Sequence, residues 1–272
     1  MFIDFHTHVF PDSIAERAIA KLTGLSHAVP SYNGTIGGLR TSMKQGKISY
    51  SVVLPVVTAP KQFNSINTFA AENNGVDGII SFGGIHPEND DIENKLKQIK
   101  SLGLKGIKLH PDYQLTFVDD DKYAKIVSCA IDLGLIVVFH SGVDMGYPDL
   151  VHCTPKRALS LLNKVYGNAS AIDKAQIVFA HMGASNMWED VKEFLIDKNV
   201  YFDTAYCLDK MPANELLDLI RLHGANRILF ASDGPWGYQE KFVEVFDALP
   251  LTLEEKEKIS HLNAMKLLGM CY

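Results

Sequence analysis

Phe2-Ile3-Asp4-Phe5-His6-Thr7-His8 reads as a short apolar strand closing on two histidines one residue apart. Side chains alternate along a strand, so His6 and His8 share a face. At a rise of roughly 3.3 Å per residue their Cα atoms lie about 6.6 Å apart. Two imidazoles so spaced can converge on one divalent ion at Nε2–metal distances of about 2.0–2.1 Å. The alternative is a strand that merely ends in two solvated histidines. What weighs against it is the remainder of the chain, where apolar segments ending in His or Asp recur.

Those segments are residues 48–57, 78–85, 104–109, 135–139, 176–180, 200–203 and 228–231. Most are apolar throughout rather than alternating, the pattern of parallel strands buried on both faces. Between them lie stretches with helical spacing, including 13–22, 36–45, 63–73, 91–101, 119–133, 155–165, 186–198 and 214–222, with 240–249 and 253–268 at the end. Asp119, Asp120 and Asp121 enrich one first turn, as the helix dipole favours, and Pro155 opens another helix. About eight strand–helix units in 272 residues predict an α/β protein, a (β/α)8 TIM barrel of parallel strands with its site at their C-terminal ends. An open doubly wound sheet would carry a glycine-rich phosphate loop after its first strand, and none follows His8. No linker, repeat or low-complexity stretch divides the chain, so residues 1–272 are expected to form a single domain. Residues 26–38, rich in Gly, Ser, Pro and Asn, read as a loop placed to fold over the histidine strand.

The net charge of -6 argues against a broad nucleic-acid or anionic-membrane surface, which needs a basic face. No apolar run approaches the roughly 20 residues that span a bilayer, and the histidine strand begins too early to leave room for a signal peptide. Cys129, Cys153, Cys207 and Cys271 form no CxxC pair; reduced thiols and a cytoplasmic location are expected.

In a barrel all strand C-termini surround one mouth. Read in order, those ends are His6 and His8, then Pro55, His86, His110, His140, His181, Asp203 or Thr204, and Asp233. Six of the ten histidines fall at or beside them, a clustering that random placement seldom gives. His27, His152, His223 and His261 fall in predicted loops or helices, and a solvated role is expected for them.

The ordered motifs DFHTH, GIKLHP (106–111), VVFHSG (137–142), FAHMGA (179–184), FASDGPW (230–236) and the closing NAMKLLG (263–269) resemble the amidohydrolase superfamily. The resemblance is to its amidohydrolase-related (amidohydrolase 2) branch, similar to aminocarboxymuconate-semialdehyde decarboxylase and related hydrolases. It extends over essentially the whole chain. It implies four metal ligands, His6, His8, His140 and Asp233. It implies His181 as the base beside the metal-bound water, although in some relatives the matching histidine is itself a ligand. Two or three neutral imidazoles and one carboxylate suit Zn²⁺ and leave a position for water, and Asp233 can also take a proton. One divalent ion, Zn²⁺ first, is therefore expected. Lys108 and His110 on the fourth strand and Trp236 after the last are candidate substrate-binding residues. Lys108 is also a candidate for the carboxylated lysine of two-metal relatives; a single ion with Lys108 as an ammonium is favoured. Arg17 and Arg40 are candidates for a substrate carboxylate, and Tyr147, Trp188 and Tyr206 for the pocket wall.

The first expectation is a hydrolase that opens an amide, ester or lactone carbonyl of a small molecule with metal-activated water. The alternative is a lyase, a metal-dependent non-oxidative decarboxylase of a small aromatic or enoic acid. A metal-binding barrel without activity is the third reading; it predicts a closed coordination sphere. No nucleic-acid or membrane partner is expected. Barrels of this kind often pair, so a homodimer is allowed for, without an interface legible in the sequence.

Overall fold

The computed structural model describes residues 1–167 and 176–270. Its strands are β1 (Ile3–Thr7), β2 (Tyr50–Val53), β3 (Ile79–Ser81), β4 (Gly83–Gly84), β5 (Gly106–Leu109), β6 (Ile136–Phe139), β7 (Ile177–Phe179), β8 (Tyr201–Asp203) and β9 (Ile228–Leu229). Every strand pair is parallel, in the orders β1-β2-β3 and β4-β5-β6-β7-β8-β9. β3 and β4 are one stave interrupted at Phe82, whose amide still donates to Val53 O at 2.9 Å. The ring closes between the first and last staves: Phe5 N donates to Phe230 O (2.9 Å), Asp233 N to His6 O (2.9 Å) and His8 N to Gly234 O (2.6 Å). The fold is the expected (β/α)8 barrel.

Two apolar layers follow from strand alternation. On β6, Val137 and Phe139 pack outward against the helices, while Ile136 and Val138 face the barrel interior with Ile3, Phe5, Val52, Leu54, Phe82 and Val178. β1 departs from simple alternation. Asp4 pairs with Ser51 but Thr7 with Val53, so β1 carries one extra residue between them. This bulge re-aims the strand, as bulges do beside active sites. Phe5 and His6 both reach the interior, Phe5 against Phe82 and His6 against Lys108 and Asp203.

The helices at Ile36–Gln45 and Phe63–Asn73 have the predicted bounds. The helix over 186–198 is shorter, Trp188–Phe194, because residues 181–187 form the turns of the site. The last predicted helix is interrupted by a π-helical turn, Lys258–Leu262. There the Ile259 carbonyl accepts from Phe230 N at 2.9 Å, so the wider turn frees an acceptor for the last stave. Thr154 caps Pro155–Tyr166, with Pro155 in the first turn as expected.

Two histidines expected in solvent are buried. His223 is stacked on Phe202 at 3.8 Å and its Nε2–H donates to Val200 O at 2.9 Å. His152 is held by Asp112. Helical spacing does not distinguish a ring facing water from one facing the strand layer. Cys153 and Cys207 are buried free thiols and Cys129 is a half-buried one; Cys271 lies outside the described residues. No helix among the described residues is long and apolar enough to cross a membrane.

Burial lowers the His223 pKa to about 4. An imidazole kept neutral in the fold contributes stability that is full above its unfolded pKa, near 6.5, and is lost as pH falls toward 4. The melting temperature should therefore drop across this window. His223→Gln, which keeps an N–H donor and does not titrate, should flatten that drop in thermal melts between pH 7 and pH 4.

Candidate metal centre and active-site cleft

Each imidazole at the end of β1 is locked in one tautomer. His6 Nδ1 lies 2.9 Å from Asp203 Oδ2 and His8 Nδ1 lies 2.8 Å from Leu54 O. Both partners only accept, so both Nδ1 atoms carry the proton and both Nε2 atoms present lone pairs. Those Nε2 atoms are 3.1 Å apart, and Asp233 Oδ1 lies 3.3 Å from each. Three acceptors so close repel one another unless a cation lies among them. Ligand atoms about 2.05 Å from one ion are about 2.9 Å apart at right angles and about 3.3 Å apart in a tetrahedron. The donor set therefore fits a divalent ion. Lys108 Nζ, 3.0 Å from His6 Nε2, donates to one of the three from beneath.

Electrostatics favour unprotonated ligands. Burial, then the Lys108 charge, pushes the His6 pKa well below its ordinary value. Burial draws the Lys108 ammonium down to about 8, against the opposing pull of Asp203 and Asp233. Asp203 is fully buried and raised by desolvation. Its Oδ1 accepts from His181 N (2.8 Å) and Ala205 N (3.1 Å), while its Oδ2 orients His6. One carboxylate thus sets both β1 and the turn after β7. A strand-end carboxylate was legible at position 203, but its role as the orienter of His6 was not.

His181 (φ 61°) and Asp233 (φ 67°) both have left-handed backbone, which costs an ordinary residue roughly 1–2 kcal/mol. The bonds from His181 N to Asp203 and from Asp233 N to His6 O hold them there. His181 Nδ1 donates to Ala205 O (2.9 Å), leaving Nε2 as its free position, 3.0 Å from His140 Nδ1.

His140, expected as a fourth metal donor, stands outside the close group of His6, His8 and Asp233. Its donors group instead with His110 and Asp144. His110 stacks on His140 with centroids 4.1 Å apart and rings 6° from parallel, and Tyr113 stacks on His110 at 3.8 Å. Asp144 Oδ2 lies 3.5 Å from His110 Nε2 and 3.8 Å from His140 Nε2. Behind them Asp112 Oδ1 accepts from both His152 N and His152 Nδ1 at 3.0 Å. Neither Asp112 nor Asp144 carried a signal in the sequence, since each sits in a loop two or four residues past a strand-end histidine. The Asp144 loop is fixed by parallel bridging of Gly142 to Ser185. Gly142 (φ 81°) is required, for a Cβ there would lie 2.1 Å from Ser185 N.

The cleft above is walled by Tyr113, Tyr206 and Trp236, with His140, His181, Asp144 and Asp233 as polar lining. Ser26 and Ala28 line it too, and Tyr32 donates to His8 O at 2.8 Å, so the loop after residue 26 does cover the histidine strand. Lys108 and His110 are buried beneath and beside the cleft and do not line it. His86 binds the amide of Glu88 away from the lining. Arg17 is exposed, Arg40 pairs with Asp77 at 3.2 Å, and neither reaches the cleft. Tyr147 is exposed, and Trp188 Nε1 donates to His181 O at 3.2 Å.

Replacing a carboxylate that orients a ligating histidine typically costs 10–100-fold in metal affinity. Asp203→Asn should lose affinity for Zn²⁺ or Mn²⁺ in that range, read by competitive titration against a chromophoric chelator. His6→Ala and His8→Ala should lose more. Equal affinity in all four proteins would remove His6, His8 and Asp203 from any metal centre.

No curated protein matches the chain in sequence. Solved structures do match its fold. A 2,6-dihydroxybenzoate decarboxylase from Rhizobium superposes with TM-score 0.72 at 17% identity, covering 98% of each chain. A dihydroxybenzoic acid decarboxylase from Polaromonas sp. JS666 with bound manganese and 2-nitroresorcinol gives 0.69 at 15%, covering 98% of this chain and 96% of that one. A putative amidohydrolase from Staphylococcus aureus gives 0.69 at 20%, covering 99% of both. The amidohydrolase family profile matches residues 3–270. The chain belongs to the amidohydrolase family and is a metal-dependent enzyme.

Proposed function

We propose that this enzyme is a metal-dependent carboxy-lyase that removes CO₂, without oxidation, from a small aromatic or enoic acid. Residues alone put hydrolysis first. The order is reversed here because proteins of like fold are decarboxylases. The observation that carries the reading is the cleft lining, which among the described residues contains aromatic rings and acceptors but no arginine or lysine. Among the described residues a substrate carboxylate then finds its cation only at the ion that His6, His8 and Asp233 would hold. An acid must enter with its carboxylate toward the reacting end, not clamped at a distance.

His6, His8 and Asp233 would hold a divalent ion, which would supply positive charge for the substrate's oxygen atoms. We take it as Zn²⁺ or Mn²⁺, since imidazole and carboxylate suit both. The other work falls to the protein. Tyr113, Tyr206 and Trp236 hold a flat substrate and exclude water. As the C–C bond to the carboxylate breaks, the electron pair stays on carbon, CO₂ leaves, and carbon takes one proton. We assign that transfer to His181: its Nδ1–H is fixed on Ala205 O, so Nε2 takes up a proton from solvent before the substrate enters and passes it to carbon. Buried reduced thiols fit the cytoplasm as the compartment.

Metal-loaded protein should release CO₂ from members of a panel of hydroxy- and aminobenzoic acids and enoic diacids. It should leave a matched panel of lactones and amides intact. His181→Asn should lower kcat by about 10²–10⁴-fold with metal content unchanged. Ring opening of a lactone with no CO₂ from any acid would restore hydrolysis as the function.

A further inference from the structure

The cleft is smaller than what it must hold. Its free volume is about 70 Å³, whereas a cavity that takes up one benzene ring measures about 150 Å³. A ring that bears a carboxylate therefore fits only after a wall has moved. The same holds for a hydrolase with any ring-sized substrate, so the inference goes beyond the carboxy-lyase reading and does not rest on it.

One wall is free to move. On the far side of the cleft the loop at 143–147 is tied down: Val143 N donates to Ser185 O (2.9 Å), Gly146 N to Asp144 Oδ1 (2.8 Å) and Tyr147 N to Asp144 O (3.1 Å). The facing wall is Leu22, Ser26 and Ala28, from the end of the helix Asp12–Ser26 and the residues after it. That helix buries only Ala15 and Ile19. Ile19 packs over Gly34, where a Cβ would lie 2.7 Å from its Cγ1. From residue 20 to residue 30 nothing is buried. The hydrogen bonds there are internal: His27 N to Thr23 O (2.8 Å), Ser26 Oγ to Leu22 O (3.0 Å) and Ala28 N to Ser26 Oγ (3.3 Å). No hydrogen bond or ion pair joins 20–30 to a described residue outside 12–30. At Ser31 the chain is fixed again, its N and Oγ both donating to Pro235 O at 2.7 and 3.0 Å. Segments with little buried surface and no bonds to the body open at low cost.

We propose that residues 20–30 are a gate. It is hinged after Ile19 and before Ser31, swings off the 143–147 loop to admit substrate, and closes with Leu22, Ser26 and Ala28 as the wall. The latch is Leu25 against Gly146: a Cβ on Gly146 would lie 3.4 Å from Leu25 Cβ. Opening breaks that contact and no hydrogen bond to the barrel. Closing seals the floor from water while the substrate reacts. Gly24 fits the same role. A glycine weakens a helix interior, and nothing packed there requires one, since a Cβ would meet no atom within 4 Å.

The latch supplies its own test. A separation of 3.4 Å is close to the Cβ–Cβ distance of a disulfide, about 3.8 Å, and Gly146 is not among the glycines with positive φ. The double variant Leu25→Cys/Gly146→Cys should therefore cross-link on oxidation, as mass spectrometry would show, with its melting temperature retained. The probes are formate and benzoate, which share a carboxylate and differ by the ring. Their binding to the Co²⁺-loaded protein is followed by stopped-flow visible absorption. Oxidation should slow benzoate association by about tenfold or more, leave formate association unchanged, and be reversed by a thiol reductant. Equal benzoate rates in the oxidised and reduced proteins would overturn the gate and leave the carboxy-lyase reading standing. Hydrogen exchange of the unmodified protein is the second measurement. The amides of 22–28 should exchange faster than those of 16–19, and equal protection overturns the gate whatever the probes do. If benzoate fails to bind even the unmodified protein, the carboxy-lyase reading falls and hydrogen exchange alone decides the gate.

Discussion

The closure of the barrel at Asp4 is the constraint on which the site depends. This fully buried carboxylate takes hydrogen bonds from Ser232 N, Ser232 Oγ, Gln239 Nε2 and His6 N. Burial pushes its pKa up to about 6 and the hydrogen bonds oppose that rise. It ties the first stave to the segment after the last, positions 228 residues apart. Without that seam, His6 and His8 have no fixed relation to Asp233. With it, the amide of Asp233 is bonded to the carbonyl of His6 itself, so donors from the two ends of the chain share one backbone frame.

That frame holds groups that repel. The lone pairs of His6 and His8 and an oxygen of Asp233 are pressed within 3.1–3.3 Å of each other. The imidazoles cannot rotate away, because Asp203 and the Leu54 carbonyl hold their far nitrogens. Rigid second partners and crowded first ones are the arrangement of a metal site whose binding energy is also folding energy. The left-handed backbone at His181 and Asp233 belongs to the same pattern: local strain kept in place by bonds to the surrounding staves.

Much of this was legible in the sequence, for a physical reason. A parallel strand buried on both faces must be apolar until it reaches the mouth, so the first polar residue marks the strand end and the site at once. His6, His8, His140, His181 and Asp233 stand out that way. The loop after residue 26 was readable as a cover because it follows the first strand directly. The bulge in β1 was not readable. Strict alternation would set Phe5 and His6 on opposite faces, and only the pairing with β2 shows the extra residue. The carboxylates Asp4, Asp112 and Asp144 were silent, since an aspartate near a turn is ordinary and its partner lies on another stave. His152 and His223 were misplaced in solvent because a helix or loop pattern does not say which buried carbonyl or carboxylate awaits a ring.

Hydrolysis and decarboxylation draw on the same floor of the cleft, which is why ligand spacing alone favours neither. Both need an ion that polarises oxygen and a nitrogen that moves one proton. They differ in what the walls must tolerate. A hydrolase can accept a substrate that carries no charge. A carboxy-lyase must admit an anion past Asp144 with no arginine or lysine among the described lining residues to receive it. An anion meeting an acidic wall gains only if its charge travels to the metal end. The acidity of the wall is then no obstacle to an acid substrate. For such a substrate the wall would act as an orienting element, turning the carboxylate away from the rim and toward the floor.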